Sequence, residues 1–154
     1  MSVISLAKAS AAVDAAIAAG RNAGLNPLTV VVLDAGGHMV AVKREDRSGI
    51  LRIEVATGKA YAALGMGVPT RLLRDRLADR PSFVSGLSAA SDGRFIAVPG
   101  GVLIRDKDGA ILGAVGISGD ASDKDEYCAI EGVKAAGLTP DPAEPNPNWR
   151  DAAL

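Results

Sequence analysis

Hydrophobic positions change their period along this chain, and the changes divide it into elements. From Ser5 to about Ala23, Leu6, Ala9, Val13, Ala16 and Ile17 recur at helical spacing in an alanine-rich stretch. That pattern predicts an amphipathic helix, which Gly24 is suited to close before Asn26-Pro27 breaks the chain. Residues 29–34 read Thr-Val-Val-Val-Leu-Asp, a β-branched apolar run that predicts a buried strand. Ala35-Gly36-Gly37-His38 turns it, and residues 39–44 return it as a hairpin. After a loop at 46–49, Ile53, Ala56, Ala60, Ala63 and Leu64 share one face of a second helix that runs from Ile50 to about Leu64. Gly65 to Pro69 ends it. Thr70 then reads as the N-cap of a short charged helix to Ala78.

Residues 80–93 read as a loop with one turn of helix, and residues 94–98 as a strand leading into Pro99-Gly100-Gly101. The glycine-rich stretch that follows predicts two strands joined at Asp108-Gly109, ending in a Ser118-Gly119-Asp120 loop. Ser122 and Asp125 have the spacing of a capping box, with Ser122 as N-cap and Asp125 at N3 of a last helix to about Ala136. The two hairpin signals require antiparallel pairing, whereas a parallel doubly wound sheet needs crossover helices between strands. The expected fold is therefore α+β: a five-stranded antiparallel sheet with packed helices. A single domain is expected over residues 1–138. Residues 139–154 hold Pro140, Pro142, Pro145 and Pro147 and are expected to be extended or disordered.

Composition narrows the partners. The 154 residues carry a net charge of −1, with one Trp, two Tyr and two Phe, so neither a basic surface nor a stacking platform for nucleic acid is expected. Cys128 is alone, which excludes an internal disulfide and suits a reducing compartment. No signal-peptide pattern and no apolar run of about 20 residues occurs, so a cytoplasmic protein without a membrane partner is expected. The small-residue, apolar-rich sequence suggests surface hidden between subunits, and a homo-oligomer is expected.

Candidate chemistry gathers where the last strand meets the last helix. Asp120, Asp123, Asp125 and Glu126 crowd that helix N-terminus, so a phosphate would meet like charge. The acids are read either as plain capping or as buried carboxylates facing a cation or a ligand N–H. Lys59 sits among small neighbours at the border of an apolar face. It either snorkels to water or, with Arg47 or Arg52, holds a substrate carboxylate from a site that lowers its pKa. Glu54, five residues earlier, lies on another side of the helix and is not its i,i+4 partner. The loop at Arg47 is either a solvated turn or a site rim. His38, the sole histidine, is either a solvent-facing tip or a haem or metal ligand. With Cys128 it is too few for zinc, so no metal site is expected. No Walker, dinucleotide-binding or Gly-x-Ser-x-Gly motif occurs.

Pro99-Gly100-Gly101-Val102-Leu103-Ile104, Asp108-Gly109, the run from Gly113 to Gly119, and Asp125-Glu126 together resemble the GlcG/HbpS family of haem-binding or haem-degrading domains. The Val-Val-Val-Leu-Asp-Ala-Gly-Gly hairpin and the helix around Lys59-Ala60-Tyr61 match it too, so the likeness covers about residues 3–138. It implies a profilin-like or PAS-like sandwich, a homo-oligomer, and a haem or other small-molecule ligand. Family members also include small catabolic enzymes acting on aromatic or heteroaromatic carboxylic acids. In that case Lys59, Glu54 and Asp125 would be catalytic, with Arg47, Gly100, Gly101, Ser118, Gly119, Asp120 and Glu126 binding the ligand. Both readings expect a cavity beside the Lys59 ammonium.

Overall fold

The computed structural model describes residues 3–154. Its elements are helix α1 (Leu6–Asn22), strands β1 (Thr29–Asp34) and β2 (Met39–Arg44), helices α2 (Arg52–Met66), α3 (Thr70–Leu77) and α4 (Pro81–Ala90), strands β3 (Gly101–Arg105) and β4 (Ile111–Ser118), helix α5 (Ser122–Ala135) and strand β5 (Thr139–Asp141). The sheet has five strands in the order β2-β1-β4-β3-β5, and every neighbouring pair is antiparallel. The fold is thus α+β, as the hairpin signals required.

Strand alternation builds two cores. On β1, Val30 and Val32 point to the face covered by α1 and α5, while Val31 and Leu33 point to the face covered by α2. One layer is filled by Val13, Ile104, Val115, Ile117, Ile130 and their neighbours, the other mainly by alanines of α2. Such small side chains let α2 come down onto the sheet backbone. A Cβ on Gly116 would collide with the carbonyl of Ala56, and one on Gly101 with the carbonyl of Lys59. These two glycines pair with each other across β3 and β4, so α2 rests on a strip of bare backbone.

Four local readings are corrected. Residues 94–98 form no strand: the Ile96 N–H donates to the Gly58 carbonyl (3.2 Å) and its side chain fills the space above Gly58, so the segment lies on the outer side of α2. The fifth strand is instead β5, whose Pro140 pairs with Ile104. Residues 81–90 are a full helix with Pro81 in its first turn, where a missing N–H costs nothing, although it buries no residue. Thr70 and Ser122 are not N-caps: Pro69 and Ala121 hold those positions. The Thr70 hydroxyl bonds Gly101 instead, accepting from its N–H (2.8 Å) and donating to its carbonyl (3.2 Å). Beyond β5 the chain packs back, and Trp149 stacks on Tyr127 with ring centroids 3.8 Å apart.

Gly116→Ala is expected to cost about 1–3 kcal/mol or more through overpacking against α2. Gly86→Ala, in a helix with open space at that position, should stabilise by roughly 0.5–1 kcal/mol. Urea denaturation of the two variants beside the parent checks both signs.

Candidate functional site

The close seating of α2 decides where Lys59 goes. Its side chain leaves α2 at the end of the sheet where β3 begins and β4 stops, and passes over Gly100. A Cβ there would lie 3.0 Å from Lys59 Nζ, and the φ of +117° already favours glycine. The ammonium ends 2.9 Å from Asp125 Oδ2, and only 2% of the lysine is exposed. Asp125 lies on α5, the opposite helical layer, so the pair bridges both layers around the sheet end. The other oxygen, Oδ1, accepts the Asp120 N–H at 3.0 Å. Asp120 accepts from Asn26 N (2.8 Å) and Ala121 N (2.7 Å), which fixes the loop between β4 and α5. Gly119 lets that loop approach Pro27, since a Cβ would strike its carbonyl.

Burial drives the electrostatics. It lowers the Lys59 pKa, with Asp125 opposing, and raises Asp125 to about 6 against the pull of Lys59. Asp120 is held below its usual value: burial alone would raise it, but the Asn26 and Ala121 N–H groups and Lys124 outweigh that. Next to Asp125 along α5, Glu126 is fully buried, and neither carboxylate oxygen has a hydrogen-bond partner among the described residues. Arg71 Nε of α3 stands 3.4 Å from it. Burial raises Glu126 to about 7, against Arg71 and helped by Asp123. Burial also pushes the Cys128 thiol up to about 12, so no thiolate forms there at neutral pH.

Of the sequence candidates, the structure brings together Lys59, Asp125, Gly100, Gly101, Ser118, Gly119 and Asp120, with Glu126 one residue further. Arg52 joins them: its Nη1 lies 3.1 Å from the buried Ser118 Oγ. Arg47 does not join. It is exposed, with φ +70°, on a rim shared with Ile17, Arg21 and Pro27. Glu54 is exposed on another flank of α2, beside Thr57, Asp92 and Arg94. Thr70 and Arg71, which brace Gly101 and Glu126, stand in a helix that the sequence marked only as short and charged. The ammonium of Lys59 is enclosed rather than splayed into water, yet what faces it is Asp125. The outlined cavities lie elsewhere on the surface. Chemically, this end of the sheet is a closed, hydrogen-bonded Lys59–Asp125 ion pair with one guanidinium, Arg52, beside it on Ser118.

Comparison with known proteins identifies the family. A family model described as "Haem degrading protein HbpS-like" matches residues 4–134. The chain therefore belongs to the HbpS-like haem-degrading protein family. It is 27% identical over 103 residues to an uncharacterised 15.0 kDa protein from the dhaT-dhaS intergenic region of Citrobacter freundii, covering 67% of this chain and 71% of that one. The fold matches a crystallised PduOC:heme complex (TM-score 0.78, 25% identity, 89% of this chain and 97% of that one). It also matches a double mutant of Streptomyces reticuli HbpS (TM-score 0.75, 28% identity, 87% of both chains). Among the described residues no helix is long and apolar enough to cross a membrane, and no three His, Cys, Asp or Glu side chains gather as metal ligands.

Lys59→Met alone strands a buried carboxylate and is expected to cost about 3–5 kcal/mol, while adding Asp125→Leu should recover most of it. A double-mutant cycle in urea measures the coupling. Glu126 gives a pH dependence. Its folded pKa of about 7 exceeds the ordinary 4.5, so between those values the folded chain keeps a proton that the unfolded chain has released. Stability should therefore fall as pH rises through that window. Glu126→Gln should flatten the fall and be the more stable form at pH 8 by about 2–3 kcal/mol. Tm across pH 4.5–8 tests it.

Proposed function

We propose that this chain binds haem, or a closely related tetrapyrrole, as a homo-oligomer. The supporting observation is membership of the HbpS-like family over nearly the whole domain, joined to a backbone that overlays a haem complex. Haem requires an axial donor and an apolar bed. The closed end around Lys59 offers neither, because Asp125 already occupies the ammonium and glycines press the backbones together. The donor set elsewhere fits better: His38 and Met39 are both exposed at the opposite end of the sheet. When bound, haem would supply iron chemistry; the chain would contribute the axial donor, the apolar bed and cations for the propionates. Subunit contact is supported by Ile50 and Leu51, which are 90% and 67% exposed before α2, and by Val42 on the edge strand β2.

A second reading keeps its own support: a small catabolic enzyme acting on an aromatic or heteroaromatic carboxylic acid. Lys59 with Arg52 would hold the carboxylate, and Asp125, with its pKa raised to about 6, would move a proton. That reading requires the end of the sheet to open.

Titration with haemin separates them. The haem reading expects a saturable Soret band and a Tm that rises with haemin concentration, by about 2.7 kcal/mol of added stability at a hundredfold excess over Kd. A spectrum that stays that of free haemin, with Tm unmoved, would contradict it and favour the small-acid reading.

A further inference from the structure

The end of the sheet away from Lys59 carries a second set of features. Here β1 turns into β2 and β3 turns into β4. Asp34 closes the first turn: its Oδ1 accepts the N–H groups of Gly36 and His38, both at 2.9 Å. The same oxygen lies 3.3 Å from His38 Nδ1. Asp34 stands on the Nδ1 side of the ring, so Nε2 is the nitrogen left to meet a ligand. The imidazole is 81% exposed, so Nε2 is free to meet a ligand. An outward-facing imidazole is an arrangement that presents a ring nitrogen to a metal.

The ring of His38 lines a cavity of about 310 Å³ whose other walls include Val3, Ala35, Ile111 and Leu112. Val3 and Leu112 also line a neighbouring cavity of about 580 Å³, so the two adjoin. The second one is basic: Lys8, Arg105 and Lys107 border it. Arg105 is taken by Asp141 at 2.9 Å, and Asp106 is spent on the N–H groups of Asp108 and Ala110 within its own turn. Lys8 and Lys107 remain at the rim, both exposed. The order along the surface is therefore imidazole, apolar wall, ammonium groups. A planar apolar ligand with a metal at its centre and carboxylates along one edge has the complementary order.

Resting on the haem reading above, we infer that His38 Nε2 is an axial ligand to haem iron, with the macrocycle over Val3, Ile111 and Leu112 and the propionates directed to Lys8 and Lys107. This site lies at the opposite end of the sheet from the buried Lys59–Asp125 pair and shares no residue with it. The ring face away from His38 is left outward, where solvent or a second copy of the chain can meet it.

Haemin titration of the full chain followed by absorbance and electron paramagnetic resonance tests the assignment, using His38→Ala, His38→Gly, Val3→Asp and the double variant Lys8→Ala/Lys107→Ala. All four change exposed side chains, and circular dichroism confirms their folding. The wild-type complex is expected to show a histidine-ligated signature. His38→Ala should lose that signature and bind roughly tenfold more weakly or worse, and imidazole should restore the signature in His38→Gly. Val3→Asp and the double lysine variant should each weaken binding by roughly tenfold while keeping the histidine signature. If wild type binds haem and His38→Ala is unchanged in spectrum and affinity, the axial assignment is wrong while the haem reading survives. If only His38 matters and the Val3 and lysine variants bind like wild type, haem is merely hanging on an exposed imidazole and the site is overturned. Failure of wild type to bind haemin removes the haem reading and this inference together.

Discussion

Everything at the closed end of the sheet depends on one contact: the backbone of α2 lying directly on the backbones of β3 and β4. Gly101 and Gly116 have no side chain to hold it off, and the Ala56 and Lys59 carbonyls occupy the space that a Cβ would take. Alanines fill the rest of that layer. At this separation a lysine on the helix border reaches past the edge of the sheet and meets a carboxylate from the far layer. A wider gap, of the kind leucines would impose, would leave Asp125 without a cation inside the protein.

Buried charge at this end is arranged to be shared rather than exposed. Asp125 has a cation on one oxygen and a backbone N–H on the other, and Asp120 has two backbone donors and a lysine. Glu126 is the exception: neither oxygen is hydrogen-bonded, and Arg71 and the Asn146 backbone N–H offset only part of the cost of its burial. A carboxyl in that setting is most comfortable protonated. The other end differs in kind. Its turns are held by Asp34 and Asp106 accepting their own backbone N–H groups, its histidine is exposed, and its cavities face solvent. One end of the sheet couples layers; the other presents surface.

Much of this was legible in the sequence, and the exceptions have physical causes. The β1–β2 and β3–β4 hairpins follow from Gly-Gly and Asp-Gly between apolar runs, and α1 from its 3.6-residue stripe. Lys59 stood out because almost every neighbour is small, and a charge set among alanines implies either close packing or a site. Glu54 and Arg47 shared its region of sequence but not its place: Glu54 takes another side of α2, and Arg47 lies in the loop before the helix, where no helical phase places it. Residues 94–98 look like a strand because Phe95, Ile96 and Val98 suit one; the notch at Gly58 that receives Ile96 exists only once α2 is seated. Thr70 and Ser122 resemble N-caps in sequence, but the hydroxyl of Thr70 is worth more to Gly101, which would otherwise leave a buried N–H without a partner. β5 was hidden by its proline, which an edge strand tolerates.

The most direct test of this account is the proton exchange of the Lys59 ammonium, followed by 1H–15N NMR of its Nζ. An ammonium enclosed against Asp125 should exchange slowly with water while the remaining lysines exchange fast, and its shift should move as the Asp125 carboxyl titrates near pH 6. A Lys59 resonance that exchanges as quickly as the exposed lysines, with no response to that titration, would mean that the layers are not pinned at the sheet end and that the structure of the site is wrong.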